Sequence, residues 1–363
     1  SYLASDELEG RGPGTKGLQI AAEYIRDEFQ KLGLISGTED GTYQQPFRVV
    51  LDRKVNPEKT KLVLTGPDDR RIELELGKDF QAMNIGGDGR VEAPVVFAGY
   101  GISASRLKYD DFRDADVEGK ILLIIRNEPQ QDDTESEFQG PKKTAYSYLR
   151  TKVRVAKEKK AAALLVVNDL FTTSQDDKGD TLSPSNVGGT RSLGLPTVQV
   201  TQDIVDEILK ITPVSAADKK LENLASVEGY IDENFSPLTQ ALEGWTAKLE
   251  TEFQEVDTEV TNVVGVIEGQ GTLANETVLI GAHYDHLGFG GFGSRRPGST
   301  EVHNGADDNA SGTAALMELA RRFAQAEGKT PARRLVFVAF GAEERGLIGS
   351  NYYVANPLFP LEE

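Results

Sequence analysis

Histidine is scarce in this chain, and its placement is informative. All three histidines, His283, His286 and His303, lie in the stretch from Glu276 to Ser350. That stretch reads ETVLIGAHYDHLG, a Gly-rich loop, HNGADDNASG, a helical segment, and RRLVFVAFGAEERGLIGS. Two apolar runs in it end abruptly in side chains that can bind a cation. Val278-Leu279-Ile280 leads to His283 and Asp285, and the run from Leu335 to Phe340 leads to Glu343 and Glu344. Asp307 and Asp308 stand between them, just ahead of a helix. Imidazole and carboxylate donors without a thiol suit Zn2+, Mn2+ or Co2+. Buried strands that deliver such groups at their carboxyl ends are the usual way an open α/β sheet builds a site.

Each of these residues also has a plainer explanation. A Glu-Glu pair is usually solvated surface, but here it closes a six-residue apolar run between Gly341 and Gly346, which favours chemistry. An Asp-Asp pair before a helix is commonly a cap that favours the helix dipole, and Asp307 or Asn309 fits that role. His286 and His303 could line a substrate pocket, or be loop surface or hydrogen-bonding support. Arg295, Arg296 and Glu301 read as a polar loop.

Several elements must position these groups. Leu18, Ala21, Ala22, Ile25, Phe29 and Leu32 recur at helical spacing and Gly33 follows, so Thr15 to Leu32 is predicted as an amphipathic helix. The preceding LASDELEGRGPGTKG reads as surface loop. Strands are expected at Thr261 to Gly269, Glu276 to Ala282 and Arg333 to Phe340. A helix is expected over Ala310 to Ala326, with Ala314, Ala315, Met317, Leu319 and Phe323 on its buried side. Between these parts the texture changes. Lys61 to Thr65 and Arg71 to Leu76 flank Gly66-Pro67-Asp68-Asp69 as a hairpin. Val91 to Gly101, Gly119 to Arg126, Ala161 to Val167 and Gly194 to Val200 read as strands, and Tyr146 to Lys160 as a helix. Glu128 to Pro141 is polar and acidic and reads as a mobile loop. This block holds no histidine; it reads as a self-contained module inserted at 51–235, with 1–50 and 236–363 forming the other domain.

Composition narrows the function. With 363 residues and 38% hydrophobic content the chain can bury more than one core. A net charge of −18, from 40 basic and 58 acidic residues, argues against nucleic acid or an anionic membrane as partner. There is no cysteine, so disulfides, thiolate metal sites and a cysteine nucleophile are excluded. The longest apolar run, Ala161 to Val167, is too short to span a bilayer. Neither a GxSxG elbow nor an HExxH helix occurs, which disfavours serine hydrolases of that type and zincins.

HYDHLG, NGADDNASG and AFGAEERGLIGS resemble, in order, the three site motifs of the co-catalytic zinc aminopeptidases of the aminopeptidase Y and bacterial leucyl aminopeptidase type. The opening GRGPGTKGLQIAAEYI is also similar to that family, and the inserted block resembles a protease-associated (PA) domain. The resemblance implies an α/β fold, a doubly wound mixed sheet of the zinc exopeptidase (phosphorylase/hydrolase-like) type, with an inserted β-rich PA domain. It implies a peptide substrate and two zinc ions per complete site. It implies that His283 binds one zinc and that Asp285 hydrogen-bonds the other nitrogen of His283. It further implies that Asp308 bridges both ions, that Glu344 holds the second, and that Glu343 is the general base. The peptide bond after Asp308 is then expected to be cis. The family's two further ligands, a later Asp and a late His, have no counterpart here, since no His follows His303 and no Asp follows Asp308. They and most of the specificity pocket are therefore expected in a continuation beyond residue 363. The expected activity is that of an exported, periplasmic or extracellular aminopeptidase. The alternatives are a carboxypeptidase or glutaminyl cyclase on the same fold, or a non-catalytic receptor or scaffold. Oligomeric state is not legible.

Overall fold

The computed structural model describes residues 2–113, 115–175, 177, 179–187, 191–290, 294–296, 300–326 and 330–360. Parts of the Gly-rich loop, 291–293 and 297–299, and the last three residues, 361–363, lie outside the described residues. The fold is mixed α/β. It divides into two compact units, Ser1–Leu51 with Val256–Glu363, and Asp52–Glu255.

The first unit is built on a five-stranded mixed sheet. Ile35–Ser36, Phe253–Ile267, Arg334–Phe340 and Thr277–His283 lie side by side, and Gln44–Val55 also pairs with Phe253–Ile267. Arg334–Phe340 runs antiparallel to Phe253–Ile267 and parallel to Thr277–His283, with His283 opposite Phe340. Side chains alternate across a strand, so each face collects every second residue. Leu335, Phe337 and Ala339 join a core with Leu18, Ala21, Ile25 and Phe29 of helix Lys16–Lys31 and with Leu316 and Ala320 of helix Ser311–Ala324. Val336 and Val338 face the other way, onto Val264, Val266 and Tyr353 of helix Ile348–Ala355. Helices thus cover both faces, as a doubly wound sheet requires. Burying each such Val, Leu or Phe contributes about 1.5–3 kcal/mol. The first helix starts where expected: the Thr15 hydroxyl accepts from Leu18 N at 3.2 Å, and Gly33 at φ +74° ends it.

Two expectations for this unit need correction. Thr277–His283 is not a fully buried strand. It is paired on one side only among the described residues, and Val278 and Leu279 are each 41% exposed. Helix Ser311–Ala324 buries Thr313, Leu316 and Ala320, whereas Ala314, Ala315, Leu319 and Phe323 are exposed and Met317 is half-buried. The apolar stripe of this helix is wider than the face the sheet covers.

The second unit holds an eight-stranded sheet. Its order is Arg71–Leu74, Lys61–Thr65, Thr239–Thr251, Gly89–Ala98, Ile121–Ile125, Ala163–Val167, Thr197–Val200, Phe80–Ala82. The four strands from Gly89–Ala98 to Thr197–Val200 are parallel. Ile121–Ile125 and Ala163–Val167 are buried at every position, which is why they read as unbroken apolar runs. Helix Leu149–Glu158 covers one face, and Gln202–Ile211 with Leu224–Asn234 the other. The hairpin around residues 66–69 forms, Leu62 facing Leu74.

The division of the chain does not fall at 235/236. Thr239–Thr251 pairs with both Lys61–Thr65 and Gly89–Ala98, so it belongs to the inserted unit, which runs on to Glu255. Phe235, left-handed at φ +47°, and Pro237 mark a bend within that unit rather than a linker. The acidic stretch 128–141 also differs from a mobile loop. It folds as successive turns pinned by Phe138, which is fully buried against Tyr109, Tyr146 and Phe235.

Candidate metal centre

The register of the two parallel strands positions the site. His283 opposes Phe340, so the residues just beyond each strand, Tyr284-Asp285-His286 and Gly341 to Glu344, emerge at the same edge of the sheet. Tyr284 N donates to Phe340 O at 2.9 Å and ties the two chains together past the last pair. The Tyr284 ring is buried, and its hydroxyl donates to Thr261 O at 2.8 Å.

Asp285 is fully buried and organises this edge. Its carboxylate accepts from the backbone of Glu343 at 2.9 Å and of Glu344 at 3.3 Å. The turn carrying both glutamates is therefore held by the aspartate two residues after His283. The resemblance implied a hydrogen bond from His283 Nδ1 to the Asp285 carboxylate. Here Nδ1 lies 3.7 Å from that carboxylate and 3.2 Å from the Asp285 carbonyl oxygen. Asp285 thus supports both halves of the site, the imidazole by its backbone and charge, the glutamate turn by its carboxylate.

Asp308 lies between these halves. Helix Ser311–Ala324 is preceded by a distorted turn, Ala306–Ala310, in which Asp308 and Asn309 are non-helical and the bond joining them is cis, as implied. The turn presents Asp308 Oδ1 at 3.2 Å from His283 Nε2, while Glu343 Oε2 lies 3.8 Å from the same nitrogen. On the other side, His286 Nδ1 pairs with Glu344 Oε1 at 2.6 Å. Ligand atoms of His286, Asp308 and Glu344 all lie within 4.8 Å of one another. The acids meet two imidazoles, with Asp308 reachable from both. Burial works against the His283 imidazolium, but Asp285 and Glu343 outweigh it and raise its pKa to about 8. Burial and then the neighbouring carboxylates push Glu343 up, against the pull of His283.

The structure brings together His283, Asp285, His286, Asp308, Glu343 and Glu344, and leaves His303 out. The His303 ring is engaged by Ser294 Oγ at 2.8 Å and the Glu301 carbonyl at 2.9 Å. His286 and Glu344 border a cavity of about 160 Å³ that also takes in Gly12, Pro13, Leu287 and Phe289. Asp307 lies outside the donor cluster among the described residues; its carbonyl accepts from Ser311 Oγ.

One contributor was missed in the sequence. The segment read as surface loop folds into turns over Tyr2–Ala4 and Asp6–Arg11, and Arg11 is completely buried beneath the site. Burial lowers its pKa, opposed by the charges of Asp285 and Asp308. The available signal was an Arg between glycines just before a helix, and nothing in such a pattern separates a buried cation from an exposed one.

Residues 262–362 match Peptidase family M28 and residues 91–208 match the PA domain. The first match lies within the unit 1–51 with 256–363, and the second within the unit 52–255. Among curated proteins, aminopeptidase YwaD of Bacillus subtilis (strain 168) is 33% identical over 128 residues, 35% of this chain and 24% of the relative. The probable glutamate carboxypeptidase LAMP1 of Arabidopsis thaliana is 31% identical over 180 residues, 48% of this chain and 24% of the relative. The alignments thus span about a quarter of the length of these two relatives. Among solved structures, the aminopeptidase from Aneurinibacillus sp. strain AM-1 is 21% identical with a TM-score of 0.44, covering 98% of this chain and 65% of that one. BSAP, a zinc aminopeptidase from Bacillus subtilis, is 21% identical with a TM-score of 0.40, covering 97% and 63%.

Proposed function

We propose that this chain carries the centre of a zinc-dependent exopeptidase, an aminopeptidase that releases N-terminal residues from peptides. The observation that carries the reading is the meeting of His283, Asp308, Glu343 and Glu344 at the shared end of two parallel strands, with Asp308 between the two halves. The donor set fits a zinc site: imidazole and carboxylate ligands, no thiol, and a buried carboxylate, Asp285, supporting the rest. In this reading His283, Asp308 and Glu344 would hold the metal, with His283 and Glu344 on opposite sides of Asp308. His286 supports Glu344 through its 2.6 Å contact and lines the substrate side of the cavity. His303 keeps only a loop-supporting role. We take the PA domain to extend over the whole unit 52–255.

A divalent ion bound there would supply Lewis-acid polarisation of the scissile carbonyl and a water of lowered pKa. The rest falls to the chain's own groups. Glu343 accepts the proton of the attacking water and passes it to the leaving amine. Its raised affinity for a proton suits a base that must also act as an acid. Asp285 keeps the Glu343 and Glu344 backbone in place, so that adjacent glutamates diverge, one to the ion and one to the water. The likeness to a probable glutamate carboxypeptidase supports a second reading, a carboxypeptidase on the same centre. A non-catalytic scaffold is disfavoured because none of these donors has been lost. By resemblance the protein acts outside the cytoplasm; among the described residues no helix is long and apolar enough to cross a membrane.

The test is a substrate panel. Release of anilide from free but not N-acylated aminoacyl-anilides, abolished by a chelator and restored by Zn2+, supports an aminopeptidase. Hydrolysis of only N-acylated peptides at their carboxyl end supports the second reading. Turnover unaffected by chelation rejects both.

A further inference from the structure

Among the described residues the Arg11 guanidinium has no carboxylate within hydrogen-bonding reach, yet it is fully buried and its nitrogens are all engaged by carbonyls. Nε donates to Tyr284 O at 2.7 Å, Nη1 to Asn304 O at 2.8 Å and to Leu3 O, and Nη2 to Gly305 O at 2.9 Å. Three of these carbonyls belong to two site loops. Tyr284 separates His283 from Asp285. Asn304 and Gly305 lead into the turn that delivers Asp308. One planar cation therefore joins the two loops that carry opposite halves of the metal centre.

The backbone around it repeats the same connection. His286 N donates to Arg11 O and Gly288 N to Gly10 O, both at 3.1 Å, and His303 N donates to Gly288 O at 2.8 Å. A Cβ on Gly10 would lie 2.4 Å from His303 O and 2.5 Å from Gly288 O. Glu9, Gly10 and Arg11 are all left-handed, at φ +49°, +61° and +49°. For Glu9 and Arg11 that conformation is costly and persists only where the surroundings over-determine it. The contacts to the two site loops supply that constraint here.

We propose that Arg11 is the positioning residue of this centre: it sets the separation between the His283–Asp285 segment and the Asp308 turn, and so decides whether imidazole and carboxylate meet at ion-binding distance. The proposal rests on the metal-peptidase reading, but its geometric half stands apart from it. Lysine is no substitute, because a single ammonium on a flexible stem cannot span four carbonyls in a fixed plane. A cation at this position also offsets the mutual repulsion of Asp285 and Asp308 before any ion arrives.

The experiment compares the parent chain with Arg11→Lys and Arg11→Met. Metal-free crystals read the distance from His283 Nε2 to Asp308 Oδ1, which is 3.2 Å here. Chelator-competed titration with Zn2+ and Co2+ reads affinity, and thermal unfolding reads stability. In the folded Lys variant the distance should exceed about 3.5 Å and affinity should fall roughly 10–100-fold, the range seen when groups behind metal ligands are removed. The Met variant should be worse in both. A purely structural arginine would lower the unfolding temperature yet leave distance and affinity at parent values, and that result overturns the proposal. So does failure of both variants to fold, since a residue that serves the site should leave the fold standing. A parent chain that binds neither ion removes the function proposed above, while the crystal distances still decide the role of Arg11.

Discussion

The two units of this protein each hold a cluster of acidic side chains, and the clusters are built in opposite ways. In the unit 52–255, Asp111, Asp169 and Glu228 are buried, and each accepts at least one hydrogen bond from a backbone amide. Asp111 accepts from Tyr100 N and Ile102 N, with the buried Lys152 nearby as a cation. Asp169 accepts from Asn127, Gln131 and Thr172 N. Glu228 accepts from Leu170 N. In the other unit, Asp308, Glu343 and Glu344 instead converge on two imidazoles and one another at the end of the sheet, with Asp308 and Glu343 side chains 63% and 33% exposed. Buried acids met by amide donors hold a fold together. Acids gathered at an open edge repel one another and gain when a cation arrives. Asp285 shows the distinction within one site. It is the acid of the first kind that holds the others in place.

The largest effect expected from this contrast is on turnover. Glu343→Gln should lower kcat by roughly 10²–10⁴-fold with metal content unchanged, measured with the best anilide substrate beside metal analysis. Because it removes one charge from a repelling group, it should also leave the unfolding temperature at or above that of the parent. A large loss of stability would blur the contrast.

Lys152→Met attacks the other kind of cluster. Its ammonium donates to the Tyr100 carbonyl, Tyr100 N donates to Asp111, and the two charges act on each other through this buried turn. Burial pushes Asp111 up and Lys152 down, so each depends on the other. Removing one partner should cost about 3–5 kcal/mol in urea unfolding; a cost below about 1 kcal/mol would show the pair is dispensable. Asp285→Ala tests the intermediate case. It should weaken Zn2+ binding by about 10–100-fold, and unchanged affinity would remove Asp285 as the support of the glutamate turn.

The smallest effect is a pH dependence. Glu228 is pushed up to about 8, chiefly by burial and then by Asp169 and Asp232, despite the hydrogen bond from Leu170. An acid with a folded pKa above its usual 4.5 binds more protons folded than unfolded. Its contribution is therefore complete below about pH 4.5 and lost as pH rises toward 8. Glu228→Gln should match the parent near pH 4.5 and become progressively more stable than it toward pH 8. A constant difference across that range would mean the group does not titrate as described.

Much of the site was legible because its donors come directly after apolar runs that read as strands, one of them fully inside the sheet. Val336 to Ala339 fill both faces of the sheet, so Gly341 to Glu344 had to emerge at its edge. Asp308 was legible only through its motif, since an Asp-Asp pair before a helix looks the same as a cap. Arg11 was not legible at all: its burial comes from contacts to residues 273 to 294 positions away, which local pattern cannot encode. The same limit hid the membership of Thr239–Thr251, whose partners Lys61–Thr65 and Gly89–Ala98 precede it by well over a hundred residues. Phe138 shows the converse error, one apolar residue anchoring a stretch whose composition reads as mobile.

Whether the acids gathered at the open edge await a cation is read most directly by anomalous diffraction at the zinc edge, from crystals soaked in Zn2+. A peak is expected in contact with Asp308 and with His283 or Glu344, about 2.0–2.2 Å from the ligating atoms, and none among Asp111, Asp169 and Glu228. Zinc bound at the inserted-domain acids, or no zinc at Asp308, would mean that the two clusters do not differ in the way described.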